Sequence, residues 1–482
     1  MQIRGRNIHL VGAKGTGMAA LAEILAARGA SLTGSDVAES FPTDEILDRL
    51  QLRPGVGFAA GDLPAGTDWV IHSAAYERSG NPQLLAAAAR GIPLSSYPEA
   101  LGALSRTARS VAIAGVHGKT TTAALCGLLV QALHLPATVL TATGVANFDG
   151  RATLIGGADY LIAETCEYRN HFASFRPSHV VITAVELEHV DAFPTHAALV
   201  AAFTDFAGTL PEGGTLVYCA DNAGAAEVAR IVSERRPDLR LLPYGEHAAG
   251  ALRISSLREA AGVTRFRLHC LAEPVALQVP GRHNAANAAA AAGVACVLLG
   301  EQGRALGESQ QSAIVRALGA YRGGKRRTEI VGECGGILVI DDYAHHPTEL
   351  VTTLAGLRAF YPGRRIVVDF MSHTFSRTAA LLADFATAFG AADEVLLHPV
   401  YASAREQSPV TPEQAGRALY DAVAGEHPRV RWCGTLAAAS ERLAATLRRG
   451  DLLVTMGAGD NWRVGREVLR LLGGARQRGA EC

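Results

Sequence analysis

The apolar run Val111-Ala112-Ile113-Ala114 breaks directly into Gly115-Val116-His117-Gly118-Lys119-Thr120-Thr121-Thr122, followed by a helical stretch from Ala123 to Leu133. A buried strand, a glycine-punctuated turn and a helix in that order make the segment a strand-to-helix corner of a parallel sheet covered by helices. The turn is built as a phosphate cradle. Its glycines let backbone N–H groups point into one concavity, Lys119 sets an ammonium against terminal phosphates, Thr120 offers a hydroxyl to Mg²⁺, and the helix start faces the anion. Gly115, Val116, His117, Gly118, Lys119, Thr120 and Thr121 are therefore expected to bind ATP or GTP. Ile113 stands where the longer G-x-x-x-x-G-K-[ST] loop has its first glycine, so the loop is the shorter G-x-H-G-K-T-T-T.

Strands and helices alternate along the whole chain, the pattern of an α/β protein with parallel sheets. Three cycles are visible in the 482 residues. The first opens at Ile8-His9-Leu10-Val11, passes Ser31 to Asp36 and Trp69 to His72, and gives a domain over 1–106. The second carries the Gly115 loop and the strands Tyr160 to Glu164 and Val180 to Thr183, and gives a domain over 107–318. It closes with the alanine-rich helix after Pro280-Gly281-Arg282-His283-Asn284. The third, over 319–482, holds strands at Gly336 to Ile340, Arg365 to Phe370, Glu394 to Leu397 and Leu452 to Met456, with a helix expected from Thr378 to Phe389.

Charge and composition narrow the function. Net charge is −1, and Lys325-Arg326-Arg327 is the one basic block that stands out, so the footprint of a nucleic-acid partner is missing. The apolar stretch Ala285 to Leu299 falls short of a membrane span and no signal core opens the chain, which points to a cytoplasmic protein without a membrane partner. The eight cysteines form no C-x-x-C pair and read as reduced thiols, with Cys166 set apart by its place in a polar strand end.

Two further features suggest sites. Gly12, Gly15 and Gly17 form a second glycine turn after a strand, with Asp36 about where an acid would hold a ribose, so a diphosphate is expected at this helix start with Lys14 beside it. Carboxylates and a histidine end two second-cycle strands, in Glu164-Thr165-Cys166-Glu167 and Glu186-Leu187-Glu188-His189-Val190-Asp191, where adjacent strands would carry them toward Thr120. Oxygen ligands with one imidazole suit Mg²⁺. A nicotinamide-dependent oxidoreductase would use the Gly12–Gly17 turn but leave the Gly115 loop and these acids without a purpose.

In sequence order, Gly115 to Thr121, Glu186 to Asp191, Gly281-Arg282-His283-Asn284-Ala285-Ala286-Asn287, Asp341-Asp342-Tyr343-Ala344-His345-His346-Pro347-Thr348 and Ser372-His373-Thr374-Phe375-Ser376-Arg377-Thr378 resemble the motifs of the Mur ligase family. Gly12 to Met18, Gly34-Ser35-Asp36, Ser73-Ala74-Ala75 and Asn81-Pro82 look like the branch that joins L-alanine to UDP-N-acetylmuramate. The resemblance implies a Rossmann-like N-terminal domain, a central P-loop ATPase domain and a Rossmann-like C-terminal domain. It also implies a peptidoglycan-precursor reaction in which ATP converts the sugar carboxylate to an acyl phosphate that an amino acid's amine attacks.

Carried onto this chain, the resemblance makes Lys119, Glu167 and His189 catalytic, with Thr120, Glu167 and His189 on magnesium. Asn284, Asn287, Arg327 and Asp342 would hold adenine, phosphate and ribose. Gly15, Gly17, Ser35, Asp36 and Ser73 would hold the sugar nucleotide, and His373 and Arg377 the amino-acid carboxylate. It also implies a monomer or weak homodimer, and a third domain that closes by rotation near residue 318.

Three departures stand out. The family's acidic D-E-S-D run reads Cys166-Glu167-Tyr168-Arg169, an arginine is lost between His373 and Arg377, and Lys14 replaces a common glycine. Glu167-Tyr168 is similar to the family's ligase that recycles a murein tripeptide, which stays open as an alternative acceptor. A silent sugar-nucleotide-binding protein is the other.

Overall fold

The computed structural model describes residues 2–41, 43–76, 80–187, 192–260, 262–402 and 409–479. The first sheet holds β1 (Asn7–Val11), β2 (Ser31–Asp36), β3 (Gly55–Val56), β4 (Trp69–His72) and β5 (Leu94–Ser96), all parallel, in the order β3-β2-β1-β4-β5. Chain direction across the sheet reverses at β1, and the crevice at the ends of β1 and β4 is where such sheets take ligands. Gly12 and Gly15 lie there, ahead of the helix Thr16–Ala27.

The second sheet holds β6 (Arg109–Ala114), β7 (Ala137–Leu140), β8 (Thr153–Ile155), β9 (Tyr160–Glu164), β10 (His179–Ile182), β11 (Thr215–Cys219) and β12 (Arg240–Tyr244), ordered β12-β11-β10-β6-β9-β7-β8. Only β8 runs antiparallel to its neighbour. β6 is central, flanked by β9 and β10, so the loop after β6 sits between the two acidic strand ends, as adjacent strands were expected to place it. A small antiparallel sheet of β13 (Ile254–Ala260), β14 (Val263–Leu268) and β15 (Val275–Leu277) was not anticipated. It leads into the helix Arg282–Glu301.

The third domain's sheet holds β16 (Glu329–Cys334), β17 (Ile337–Asp342), β18 (Ile366–Phe370), β19 (Glu394–Leu397), β20 (Val430–Trp432) and β21 (Leu452–Met456), ordered β16-β17-β21-β18-β19-β20 with β16 antiparallel. The single helix expected over Thr378–Phe389 is two short ones, Phe375–Ala380 and Leu382–Thr387, broken at Leu381.

One hydrophobic core runs from Ile3 to Tyr321 without a seam between the first two sheets, and Glu23 of the first accepts the Thr153 hydroxyl of the second at 2.7 Å. The main cores of the third sheet begin only at Ile337. The connecting strand of chain stays bound to the middle domain well past residue 318. Asn147 holds Ala320 O and Arg322 N, and Lys325 N donates to Gly144 O at 2.7 Å. Arg326 and Thr328 follow with φ of +58° and +50°, left-handed backbone at two non-glycine residues. A hinge near residue 318 would thus fall within chain that is bonded to the middle domain as far as Lys325.

The helix Arg282–Glu301 is long and apolar enough to cross a membrane by length and composition, yet 78% of its apolar window is buried inside the protein. It packs along the phosphate-loop helix Lys119–Ala132, alanines allowing the two axes close approach.

Candidate active site

The phosphate loop is shaped by two glycines in backbone that a side chain would spoil. Gly115 has φ +128° and Gly118 φ +76°. A Cβ on Gly115 would collide with the Thr183 hydroxyl, and one on Gly118 would lie 2.6 Å from Asn287 Oδ1. The loop is thus pressed between β10 and the alanine-rich helix, with Gly118 at the start of Lys119–Ala132.

Lys119 Nζ donates to Gly115 O and to Val116 O and pairs with Glu167 at 3.1 Å, the carboxylate being almost fully buried. Thr120 Oγ1 donates to Glu164 Oε2 at 2.8 Å, an oxygen that also accepts Ala142 N at 3.1 Å. Of the two acids three residues apart, Glu164 meets the threonine and Glu167 the lysine. His189 lies outside the described residues. The remaining donors are hard oxygens beside an ammonium, a set suited to Mg²⁺ and phosphate.

A cavity of about 390 Å³ opens beside the loop, lined by His117, Gly118, Thr120 and Thr121 from the loop, Asn284 and Asn287 from the alanine-rich helix, and Arg327 and Asp342 from the third domain. Eight residues expected to hold the nucleotide therefore line one cavity. Asn287 Nδ2 donates to Asn284 Oδ1 at 3.2 Å and its Oδ1 accepts Thr122 Oγ1 at 3.3 Å, which fixes both amides at the cavity's edge. Asp342 accepts Thr328 N at 2.7 Å and Ala344 N at 2.8 Å. Burial pushes its pKa up, against the pull of Arg327.

Thr183, Asn222, His283, Tyr321 and Glu349 also line the cavity and had been assigned no role. His283 belongs to the segment Gly281–Asn287 that resembles a Mur ligase motif. Burial, with Arg327 and His117 nearby, lowers its pKa to about 4, so the ring is neutral near pH 7, and its buried Nδ1 has no hydrogen-bond partner among the described residues. Burial opposes ionisation of Glu349, but His117, His345 and Arg327 outweigh it and hold the carboxylate well below the usual range. His117, Glu186 and His346 offer ligand atoms within 4.8 Å of one another, enough to gather a cation.

The other expected groups lie elsewhere. Ser35, Asp36 and Ser73 gather at the carboxyl ends of β1, β2 and β4 with Gly15. Gly17, one residue into the helix, faces the Tyr97 ring. Asp36 accepts Lys14 N at 2.6 Å and Val37 N at 2.7 Å, and Ser35 donates to Gln83 at 2.6 Å. Lys14 turns its ammonium to Glu39 O and Asp44. His373 and Arg377 follow β18 in the third domain and do not line the cavity; His373 stacks on Tyr401, ring centroids 5.7 Å apart.

Sequence comparison decides the ancestry of this arrangement. Residues 7–109 match the "Mur ligase family, catalytic domain", 113–295 the "Mur ligase middle domain" and 326–459 the "Mur ligase, glutamate ligase domain". The chain belongs to the Mur ligase family. Curated relatives of this Mur ligase named UDP-N-acetylmuramate–L-alanine ligase include one from Treponema pallidum, 44% identical over 97% of this chain and 96% of its own. Another, from Borreliella burgdorferi, is 36% identical over 95% and 97%. Among solved structures, the Thermotoga maritima UDP-N-acetylmuramate-alanine ligase MurC superposes with a TM-score of 0.78 at 21% identity, covering 97% of this chain and 99% of that one. A murein peptide ligase from Psychrobacter arcticus gives 0.66 at 22%, with the same coverage. These two show the shared fold.

Proposed function

We propose that this Mur ligase joins L-alanine to the carboxylate of UDP-N-acetylmuramate at the expense of ATP, giving UDP-N-acetylmuramoyl-L-alanine, ADP and phosphate for peptidoglycan synthesis. The observation that carries this reading is the 44% identity, over 97% of the chain, to a relative named for that reaction. The cavity supports it, because one wall holds the phosphate loop and the facing third domain supplies Arg327 and Asp342.

In the reaction a carboxylate oxygen of the sugar attacks the γ-phosphorus and ADP leaves. The alanine nitrogen then attacks the acyl carbon, inorganic phosphate departs, and the amine gives up its proton. Phosphoryl transfer asks mainly for charge neutralisation and in-line placement. Lys119 supplies a cation held by Glu167 and by two loop carbonyls, and Gly118 starts the helix whose N–H groups face the phosphates. Arg327 adds a second cation from the other side. Mg²⁺, when bound, neutralises charge on the phosphoryl oxygens; Thr120, Glu164, Glu167 and the family-motif His189 would hold it. Asn284 and Asn287 offer an amide edge suited to adenine, and Asp342 a carboxylate suited to ribose hydroxyls.

Asp36, Ser35, Ser73, Gly15 and Gly17 form the sugar-nucleotide end, and His373 and Arg377 the amino-acid end, where a guanidinium fork suits a carboxylate. Domains over 1–106, 107–318 and 319–482, a cytoplasmic location and a monomer or weak homodimer complete the reading. The test is phosphate release from ATP with Mg²⁺ and UDP-N-acetylmuramate, comparing L-alanine, glycine, L-serine and the L-Ala-γ-D-Glu-diaminopimelate tripeptide. Release that depends on L-alanine is expected. Release with the tripeptide alone would move the chain to the recycling reaction, and none with any acceptor would leave a binding protein.

A further inference from the structure

His117 occupies the middle of the phosphate loop, two residues before Lys119, and its ring is gripped from two domains. Nδ1 meets Glu349 Oε1 of the third domain at 3.0 Å, and Nε2 faces Glu186 Oε2 of the middle domain at 3.7 Å. The backbone is held too, since His117 O accepts the Thr183 hydroxyl. Glu186 is itself anchored by Asn222 Nδ2 at 3.0 Å, and Asn222 caps the following helix, Ala223–Arg235. On the far side Glu349 is the third residue of the helix Pro347–Phe360. Its Oε2 accepts His345 N at 2.9 Å and His346 N at 3.2 Å, so one oxygen caps the helix and the other is left for His117.

We infer that Glu349 is a positioning residue for phosphoryl transfer: through His117 it ties the seating of the third domain to the shape of the phosphate loop. The two partners are 232 residues apart in sequence, and both side chains are nearly buried, at 12% and 15% exposure, where a charge-assisted bond holds its strength. The contact is placed where it matters. Arg327 lines the same cavity and feels the Glu349, Asp342 and Glu164 charges together, so Glu349 acts on the cavity's cation as well as on His117. A third domain swung about residues 326–328 would part Glu349 from His117 and release the phosphate loop from that tie.

This inference rests on the ligase reading for its kinetic test but has a second readout that does not. Glu349→Gln keeps an oxygen for the helix cap and replaces the anion facing His117 by an amide, which separates the two duties. The full-length variant is expected to melt close to wild type while kcat/KM for ATP falls roughly tenfold, the size of one charge-assisted hydrogen bond.

Asparagine places an amide nitrogen near the histidine Nδ1 position, so His117→Asn should retain more activity than His117→Gln. His117→Ala combined with Glu349→Gln should cost no more than the worse single variant. Affinity for a non-hydrolysable ATP analogue, measured by calorimetry, should drop in Glu349→Gln whether or not the wild type ligates alanine. Wild-type kinetics and wild-type analogue affinity in Glu349→Gln would overturn the inference, as would full additivity of the two substitutions. A wild type that ligates nothing, paired with weakened analogue binding in the variant, would sink the ligase reading and leave the positioning role intact.

Discussion

Replacing Lys119 by alanine tests the central assignment. The ammonium lies against Gly115 O, Val116 O and Glu167, with its side chain 12% exposed. In such a partly buried site, with an effective dielectric near 20, a unit charge about 4 Å from a phosphoryl oxygen is worth about 4 kcal/mol. Most of that stabilisation is needed as charge builds up in the transition state, so turnover should fall by about 10³-fold. The same substitution leaves Glu167, whose side chain is 2% exposed, without its ammonium, and a buried carboxylate stripped of its partner costs about 3–5 kcal/mol. Lys119→Ala should therefore lose both activity and melting temperature. The double variant Lys119→Ala/Glu167→Gln removes the stranded charge, so it should recover stability but not turnover. The assay is L-alanine-dependent phosphate release at saturating ATP, with thermal melts of each variant. Turnover within tenfold of wild type in Lys119→Ala would refute the reasoning, and so would recovery of turnover in the double variant.

Asp36→Ala should raise KM for the sugar nucleotide roughly tenfold, by loss of a charge-assisted contact, while KM for ATP stays near wild type; equal changes in both would remove Asp36 from the sugar site. Asn287→Ala should raise KM for ATP without moving KM for the sugar nucleotide, because Asn287 lines the cavity beside the phosphate loop and packs close against Gly118. Small-angle scattering should show a smaller radius of gyration when an ATP analogue and the sugar nucleotide are added together, and an unchanged profile would count against a third domain turning about 326–328. Stability should also depend on His398. Burial disfavours its charge, yet Asp369 at 2.7 Å and the Cys433 carbonyl at 3.1 Å outweigh it and raise the pKa above the usual value. That stabilisation is complete below about pH 6.5, the unfolded value, and is lost as pH rises through the folded one. The melting-temperature gap between wild type and His398→Gln should narrow from pH 6 to pH 9, and a constant gap would refute the pairing.

What the sequence disclosed follows from the range of each interaction. β9 and β21 could be read to the residue, since each is an apolar run closed by a polar residue or glycine, and its burial on both faces is written locally. β13 to β15 escaped, although Val263 to Leu268 alternates between inward and exposed positions, because short charged strands such as these carry little apolar signal. The break at Leu381 escaped as well, because periodicity alone cannot separate one helix from two short ones.

At the site, the glycine loop and the paired asparagines were legible because each lies within one turn of chain. The choice between Glu164 and Glu167 was not. Residues three apart at a strand's end leave it at different angles, and only the packing of the following turn decides which carboxylate reaches Thr120 and which reaches Lys119. Glu349 was still further out of reach. Its local pattern, an acid three residues into a helix after His346-Pro347, announces a cap and nothing more. That its second oxygen is free to meet the phosphate loop depends on how two domains with separate cores come together. A motif can therefore name the parts that touch the nucleotide, while the groups that bring those parts into register lie in ordinary helix starts. The Glu349→Gln variant, which keeps an oxygen for the cap and removes the charge that faces the phosphate loop, separates these two kinds of residue.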